Sequence, residues 1–152
     1  MATLSEASLS EAIVAGVGDA VIFADKDGLI RLWNGGAELM FGYTAEEALG
    51  KTLDLIIPEK LRQRHWDGYR GSMATGKTRY AHGELLAVPA VNKAGERLSV
   101  EFSIAIVREG DAVLGIGAIM RDVTARWTQE RDLRARLKQL EATVLPEHPQ
   151  AE

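Results

Sequence analysis

Residues 97–107, RLSVEFSIAIV, alternate without a break, with Leu98, Val100, Phe102, Ile104 and Ile106 on one side and Arg97, Ser99, Glu101 and Ser103 on the other. A period of two is that of a strand with one face against a core and one face wet or against a partner. The turn REGDA and a second apolar run, VLGIGAIMRDV at 113–123, follow at once. Strands joined by so short a turn must pair antiparallel. A third strand candidate, RYAHGELLAVPAV at 79–91, precedes them across the turn Asn92-Lys93-Ala94-Gly95. Near the N-terminus, 19–25 and 29–34 are rich in β-formers and flank Asp25-Lys26-Asp27-Gly28, an Asp-Gly hairpin signal. Five strands in hairpin order specify a mainly antiparallel sheet, so the helices of the middle section must pack on one face of it.

Those helices have punctuation of their own. Ser8 to Glu11 reads as a capping box, with Leu9, Ala12, Ile13 and Val17 at helical spacing behind it. Asn34 can cap a short helix through GGAELMFGY, and Thr44 to Glu47 is a second capping box closed by Gly50. Pro58 suits the first turn of a longer helix that stops near Gly76. From Thr124 to about Val144 the chain is helical and charged, and Leu133, Leu137, Leu140 and Val144 form a coiled-coil seam. The expected organisation is an N-terminal helix at 1–18, an α+β core at 19–124, a C-terminal coiled-coil helix at 125–145 and a disordered tail at 146–152.

The chain has 152 residues, 46% of them hydrophobic, enough for one core without staples, and its lack of cysteine removes disulfides and thiolate metal sites. A formal charge of −4 argues against a nucleic-acid footprint. No basic start or long apolar run marks a signal peptide or a membrane span, so the expected location is the cytoplasm.

Gly71 to Thr78, GSMATGKT, matches the phosphate-cradling pattern G-x-x-x-x-G-K-T. A working loop of that kind follows a strand and opens a helix, so that its amides point at the phosphates. Here a helix precedes the motif and a strand follows it. Gly76 is expected to end the helix, and a nucleotide enzyme relying on Lys77 is not. Other catalytic patterns are missing too. Glu46-Glu47 and Asp25/Asp27 lie in a cap and a turn, no Ser occupies a G-x-S-x-G elbow, and three scattered histidines do not make a zinc site. The expectation is a protein that is not an enzyme.

On a helical wheel of 58–74, Leu61, His65, Tyr69, Ser72 and Met73 fall on one side with Trp66 at the edge, and Lys60, Gln63, Arg64, Asp67 and Arg70 fall on the other. His65 thus lies mid-stripe, where an imidazole is either a core residue or a ligand.

The segment ALGKTLDLIIPE, the closing RDVT at 121–124 and the charged helix after it resemble PAS sensory domains over roughly residues 10–127. PEKLRQRHWDGYRGSMATG is more specific and resembles the heme-binding helix of rhizobial oxygen-sensing histidine kinases. The resemblance implies a PAS-like five-stranded antiparallel sheet with helices on one face, and heme b between helix and sheet. It places His65 on the axial iron ligand and Arg79 on a propionate-contacting position, with Arg70 a second candidate.

Leu61, Tyr69 and Met73 would then form one wall, and Phe102, Ile104, Ile106, Ile116, Ala118 and Met120 the other. The family's oxygen-stabilising arginine would fall near Leu85 or Leu86, neither of which can donate a hydrogen bond, and Glu84 cannot replace it. An apolar distal side favours CO or NO relative to O2. His82 is either a distal group or an exposed strand residue.

The expected function is gas or redox sensing, passed through the C-terminal helix. The expected partners are a second copy, held through the terminal helices and outer sheet face, and a separate histidine kinase or other effector unless the chain is excised from a larger sensor. A cofactor-free interaction module and a non-covalent flavin (FAD) sensor, with Trp33 and Asn34 near the slot, remain alternatives.

Overall fold

The computed structural model describes residues 3–144. In order, the elements are α1 (Glu6–Gly16), β1 (Ala20–Asp25), β2 (Ile30–Trp33), α2 (Gly35–Phe41), α3 (Ala45–Ala48), a 3-10 turn (Leu53–Leu55), α4 (Glu59–Thr75), β3 (Leu86–Val91), β4 (Arg97–Glu109), β5 (Ala112–Asp122) and α5 (Thr124–Val144). The sheet runs β2-β1-β5-β4-β3, and every pairing is antiparallel. The first and last hairpins therefore meet through β1 and β5, and the helices bridge between them.

Asn34 does more than cap. Its Oδ1 accepts from Ala37 at the start of α2 and from Val21 on β1, and its Nδ2 donates to the carbonyls of Val14 and Asp19. All four hydrogen bonds of one buried amide side chain are met, which fastens α1, β1 and α2 together. Thr44 and Glu47 form the expected capping box of α3. Gly28, at φ +78°, supplies the left-handed residue of the β1–β2 turn.

Three sequence expectations need correction. The cap of α1 is Ser5, whose hydroxyl accepts from the Ser8 amide, so the motif beginning at Ser8 lies inside the helix. The strand expected from residue 79 begins only at Leu86, because 81–84 close a turn through Glu84 N–H to the Ala81 carbonyl, with Gly83 at φ +74°. The β4–β5 hairpin is longer and tighter than REGDA suggested, turning at Gly110 and Asp111 alone. The tail expected at 146–152, with His148, lies outside the described residues.

The core is off-centre. Ala20, Ile22, Ile30, Trp33, Ala37, Phe41, Ala48, Ile56, Ala90 and Val100 form its buried heart, at the end of the sheet covered by α2, α3 and the 3-10 turn. Phe41, Ile22, Ile30 and Val100 are its largest fully buried side chains, each contributing about 1.5–3 kcal/mol. Phe102 and Met120 pack against its margin, whereas Ile104, Ile106, Ile116 and Ala118 lie beyond it and are only half-buried.

Candidate functional site

Helix α4 covers the part of the sheet that the core leaves unfilled. Leu61, His65, Trp66, Ser72 and Met73 are half-buried and Tyr69 is buried, while Lys60, Gln63, Arg64, Asp67 and Arg70 face solvent. The stripe is therefore the one expected from the wheel. His65 lies edge-on to Trp66 with ring centroids 4.7 Å apart, and 5.8 Å from Tyr69.

Its aromatic neighbours are anchored to other elements. Trp66 Nε1 donates to Asp54 Oδ1 at 2.8 Å. The Trp66 ring also covers Gly28 so closely that a Cβ there would lie 2.2 Å from it. The Tyr69 hydroxyl reaches the β1 carbonyls of Ala24 and Asp25 at 3.0 and 2.5 Å. Burial, reinforced by the charge of Asp25, pushes its pKa up to about 12 despite the opposing Ile116 amide, so the phenol is a fixed neutral donor.

His65 is the uncommitted member. Its Nδ1 is buried with no hydrogen-bond partner among the described residues. Burial lowers its pKa below the ordinary value, against the pull of the Asp54 carboxylate, so the ring is neutral at pH 7. A neutral imidazole without a partner can ligate a metal, and a buried nitrogen left unpaired is costly otherwise.

Six of the apolar residues expected at the site lie on β4 and β5. Phe102 pairs with Met120, Ile104 with Ala118 and Ile106 with Ile116, so all six share one face. The buried β1 residues Ala20, Ile22 and Ala24 lie opposite Met120, Ala118 and Ile116 and continue that face. Half-buried aliphatic side chains in adjacent registers thus form an apolar stretch of the sheet's inner face.

Other expected residues do not converge there. Arg79 is exposed in the loop at 77–85, with its guanidinium over the Tyr80 ring and bonded to the Tyr80 hydroxyl. Leu85 is 66% exposed in the same loop, and His82 is exposed. Arg70 pairs with Asp67 at the surface. Trp33 is a core residue whose Nε1 donates to the Tyr43 carbonyl, and Asn34 is the helix cap already described, so neither is free for a flavin.

Gly71 to Thr75 lie within α4, and the Gly76 amide is spent on the Ser72 carbonyl, so the phosphate-loop pattern builds no nest of free amides. Among the described residues no group of three His, Cys, Asp or Glu side chains gathers to hold an ion. Two surface clefts, of about 650 and 280 Å³, lie elsewhere, around Lys51 and Lys93 and around Asp19 and Arg121. Wheel reasoning left Trp66 at the edge and missed Asp54 and Gly28 as its partners. The only sequence signal was the Asp-Gly turn, which marks a tight backbone but not what packs on it.

The family described as PAS fold matches residues 14–127. The chain belongs to the PAS family. As a PAS domain it is 28% identical over 127 residues to the sensor protein FixL of Bradyrhizobium diazoefficiens, and 28% identical over 115 residues to the oxygen sensor protein DosP of Escherichia coli. Those alignments cover 84% and 76% of this chain but only 24% and 14% of the relatives.

Among solved structures, a PAS domain from Colwellia psychrerythraea superposes with a TM-score of 0.69 at 19% identity, covering 80% of this chain and 99% of that one. An RNA-binding light-oxygen-voltage receptor superposes at 0.67 and 20% identity, covering 91% and 38% respectively. These superpositions establish the five-stranded PAS architecture with its flanking helices. PAS domains are in general sensory modules.

Proposed function

We propose that this PAS domain is a sensor that holds heme b between α4 and the sheet, with His65 as the axial ligand, and reports a diatomic gas or redox state. The observation that carries the reading is the unpartnered, neutral His65 on the inner stripe of α4, together with the half-buried apolar stretch of the sheet. The similarity to one protein described as an oxygen sensor and another described as a sensor supports it. Bound there, heme would supply an iron position open to O2, CO or NO. The chain's own share is to present a neutral imidazole from α4 and to line the ring with Phe102, Ile104, Ile106, Ile116, Ala118 and Met120. With Leu85 and Arg79 both exposed in the 77–85 loop, neither brings a hydrogen-bond donor to a bound gas, so selectivity favours CO or NO relative to O2.

Output passes to α5, whose Leu133, Leu137, Leu140 and Val144 are all more than half exposed and form a seam for a second copy. The same exposed seam favours the second reading, a cofactor-free module that signals by pairing alone. Protein purified from heme-replete cells decides between them. A Soret band that is lost in His65→Ala supports the sensor, and a colourless wild type supports the module.

A further inference from the structure

The sheet is interrupted twice, at neighbouring places. Between β1 and β2 the register jumps from Phe23↔Leu32 to Ala24↔Ile30, leaving Arg31 as an extra residue. Between β4 and β5 it jumps from Val107↔Gly115 to Arg108↔Val113, leaving Leu114 extra. The two breaks meet across the central β1–β5 ladder, where Ala24 faces Ile116 and Asp25 faces Gly115. The strands approach so closely there that a Cβ on Gly115 would lie 2.0 Å from the Ala24 carbonyl oxygen. Bulges are where a sheet bends and its twist increases, so both breaks bend the sheet at this level.

Helix α4 grips the sheet at this level from two points. Tyr69 places its hydroxyl on the Ala24 and Asp25 carbonyls. At the cap of the helix, the Gly76 carbonyl accepts from the guanidinium of Arg108, the first β4 residue beyond the register jump. Gly76 sits at φ +66°, where a side chain would be strained and its Cβ would press on that guanidinium at 2.8 Å. From Gly115, β5 runs unbroken to Asp122, whose Oδ1 caps α5 by accepting from the Thr124 amide at 2.9 Å. The Thr124 hydroxyl in turn accepts from the Ser99 amide on β4.

We propose that Tyr69 is the positioning residue that couples helix α4 to the output helix, its hydroxyl passing displacement of α4 to the β1–β5 ladder and so along β5 to the cap of α5. Arg108 is the second grip, holding the end of α4 to the same hairpin. The inference rests on the reading of α4 as the sensing helix, but the linkage is a property of the chain alone. The Tyr69→Phe variant keeps the ring and its packing and removes only the hydroxyl.

The test is amide hydrogen exchange, read residue by residue on the full cofactor-free chain, wild type against Tyr69→Phe. The expected result is exchange at least about tenfold faster at Gly115, Ile116 and the first turn of α5 (124–128), with the β3–β4 ladder at Val88 to Val100 unchanged. A uniform acceleration across the sheet would mean a merely structural hydroxyl and would overturn the proposal, as would no change at 124–128. Arg108→Gln is the second variant, expected to quicken exchange at 113–116 and in the last turn of α4.

Where the wild type shows a Soret band, CO addition to the reduced protein adds a further arm. In Tyr69→Phe the CO-induced exchange change seen at 124–128 in the wild type should disappear, and its persistence overturns the proposal. A wild type without a Soret band counts against the heme reading only, and the cofactor-free comparison still decides this one.

Discussion

Trp66 and Gly28 show how one residue's lack of a side chain fixes another's position. Gly28 is required twice, for its φ of +78° and because the indole fills the space of a Cβ. Gly28→Ala is expected to cost about 1–3 kcal/mol from backbone strain alone. A differential scan should show the melting temperature falling by several degrees, since about 1 kcal/mol shifts a domain of this size by about 2–4 °C. Asn34→Ala should be at least as damaging, because it leaves the buried Ala37 amide and three part-buried backbone groups without their partner, where one unmet buried group costs about 1–3 kcal/mol.

Asn34 as a cap was legible in the sequence, being local. Its bonds to the Val14 carbonyl and the Val21 amide were not, because nothing in a linear pattern tells which distant backbone group a side-chain amide will reach. The same holds for His65. Its inward placement follows from the wheel, but its lack of a partner does not, nor does the anchoring of Tyr69 on Ala24 and Asp25 across more than forty residues.

Among the elements, the β1–β2 turn ties stability to pH. Burial alone would raise the pKa of Asp25, but the Arg31 guanidinium and the amides of Leu29 and Asp27 overcome it and hold the carboxyl below its ordinary value of 3.8. A depressed pKa means that the folded state prefers the carboxylate. The stability this gives is present in full above the ordinary value and is lost as pH falls through the lower folded one. Acid unfolding should therefore steepen below about pH 4, and Asp25→Asn should be less stable at pH 7 with a shallower acid limb, measured by denaturant titration at each pH.

The terminal helices carry apolar residues that their own domain leaves uncovered. On α5 these are Leu133, Leu137, Leu140 and Val144, and on α1 Leu9 and Ile13. Light scattering should show Leu137→Glu with Leu140→Glu shifting the protein from dimer to monomer, and a wild type that is already monomeric would remove the paired output. Strand β3 marks the opposite limit of sequence reading. RYAHGEL runs straight into the apolar LAVPAV with no proline to separate them, but Gly83 and the Ala81–Glu84 bond make a turn of its second half. The strand begins only where Leu86 meets Phe102.

For the whole molecule, the order of hairpins dictates the sheet, and the sheet with its helices is what the sequence most fully specified. The uneven filling of that frame is a different matter. It depends on where α2, α3 and α4 settle relative to alternations that look equally apolar from Leu98 to Ile106. The structure concentrates its core beneath α2 and α3 and leaves Ile104, Ile106, Ile116 and Ala118 half-covered under α4. Ala118→Leu adds apolar volume where the wall is open, so it should leave the melting temperature of the cofactor-free protein equal or higher while weakening hemin uptake at least about tenfold. A buried, well-packed Ala118 would give the opposite stability result, because overpacking a filled core destabilises by about 1–3 kcal/mol.

The central claim is that His65 and this open wall form one binding site for a porphyrin. Titration of the cofactor-free protein with hemin, followed by absorbance, tests it most directly. The account predicts a sharp Soret band that saturates at one equivalent per chain in the wild type and is displaced and weakened in His65→Ala. A wild-type titration that never saturates, or a His65→Ala variant with an identical band and stoichiometry, would contradict it.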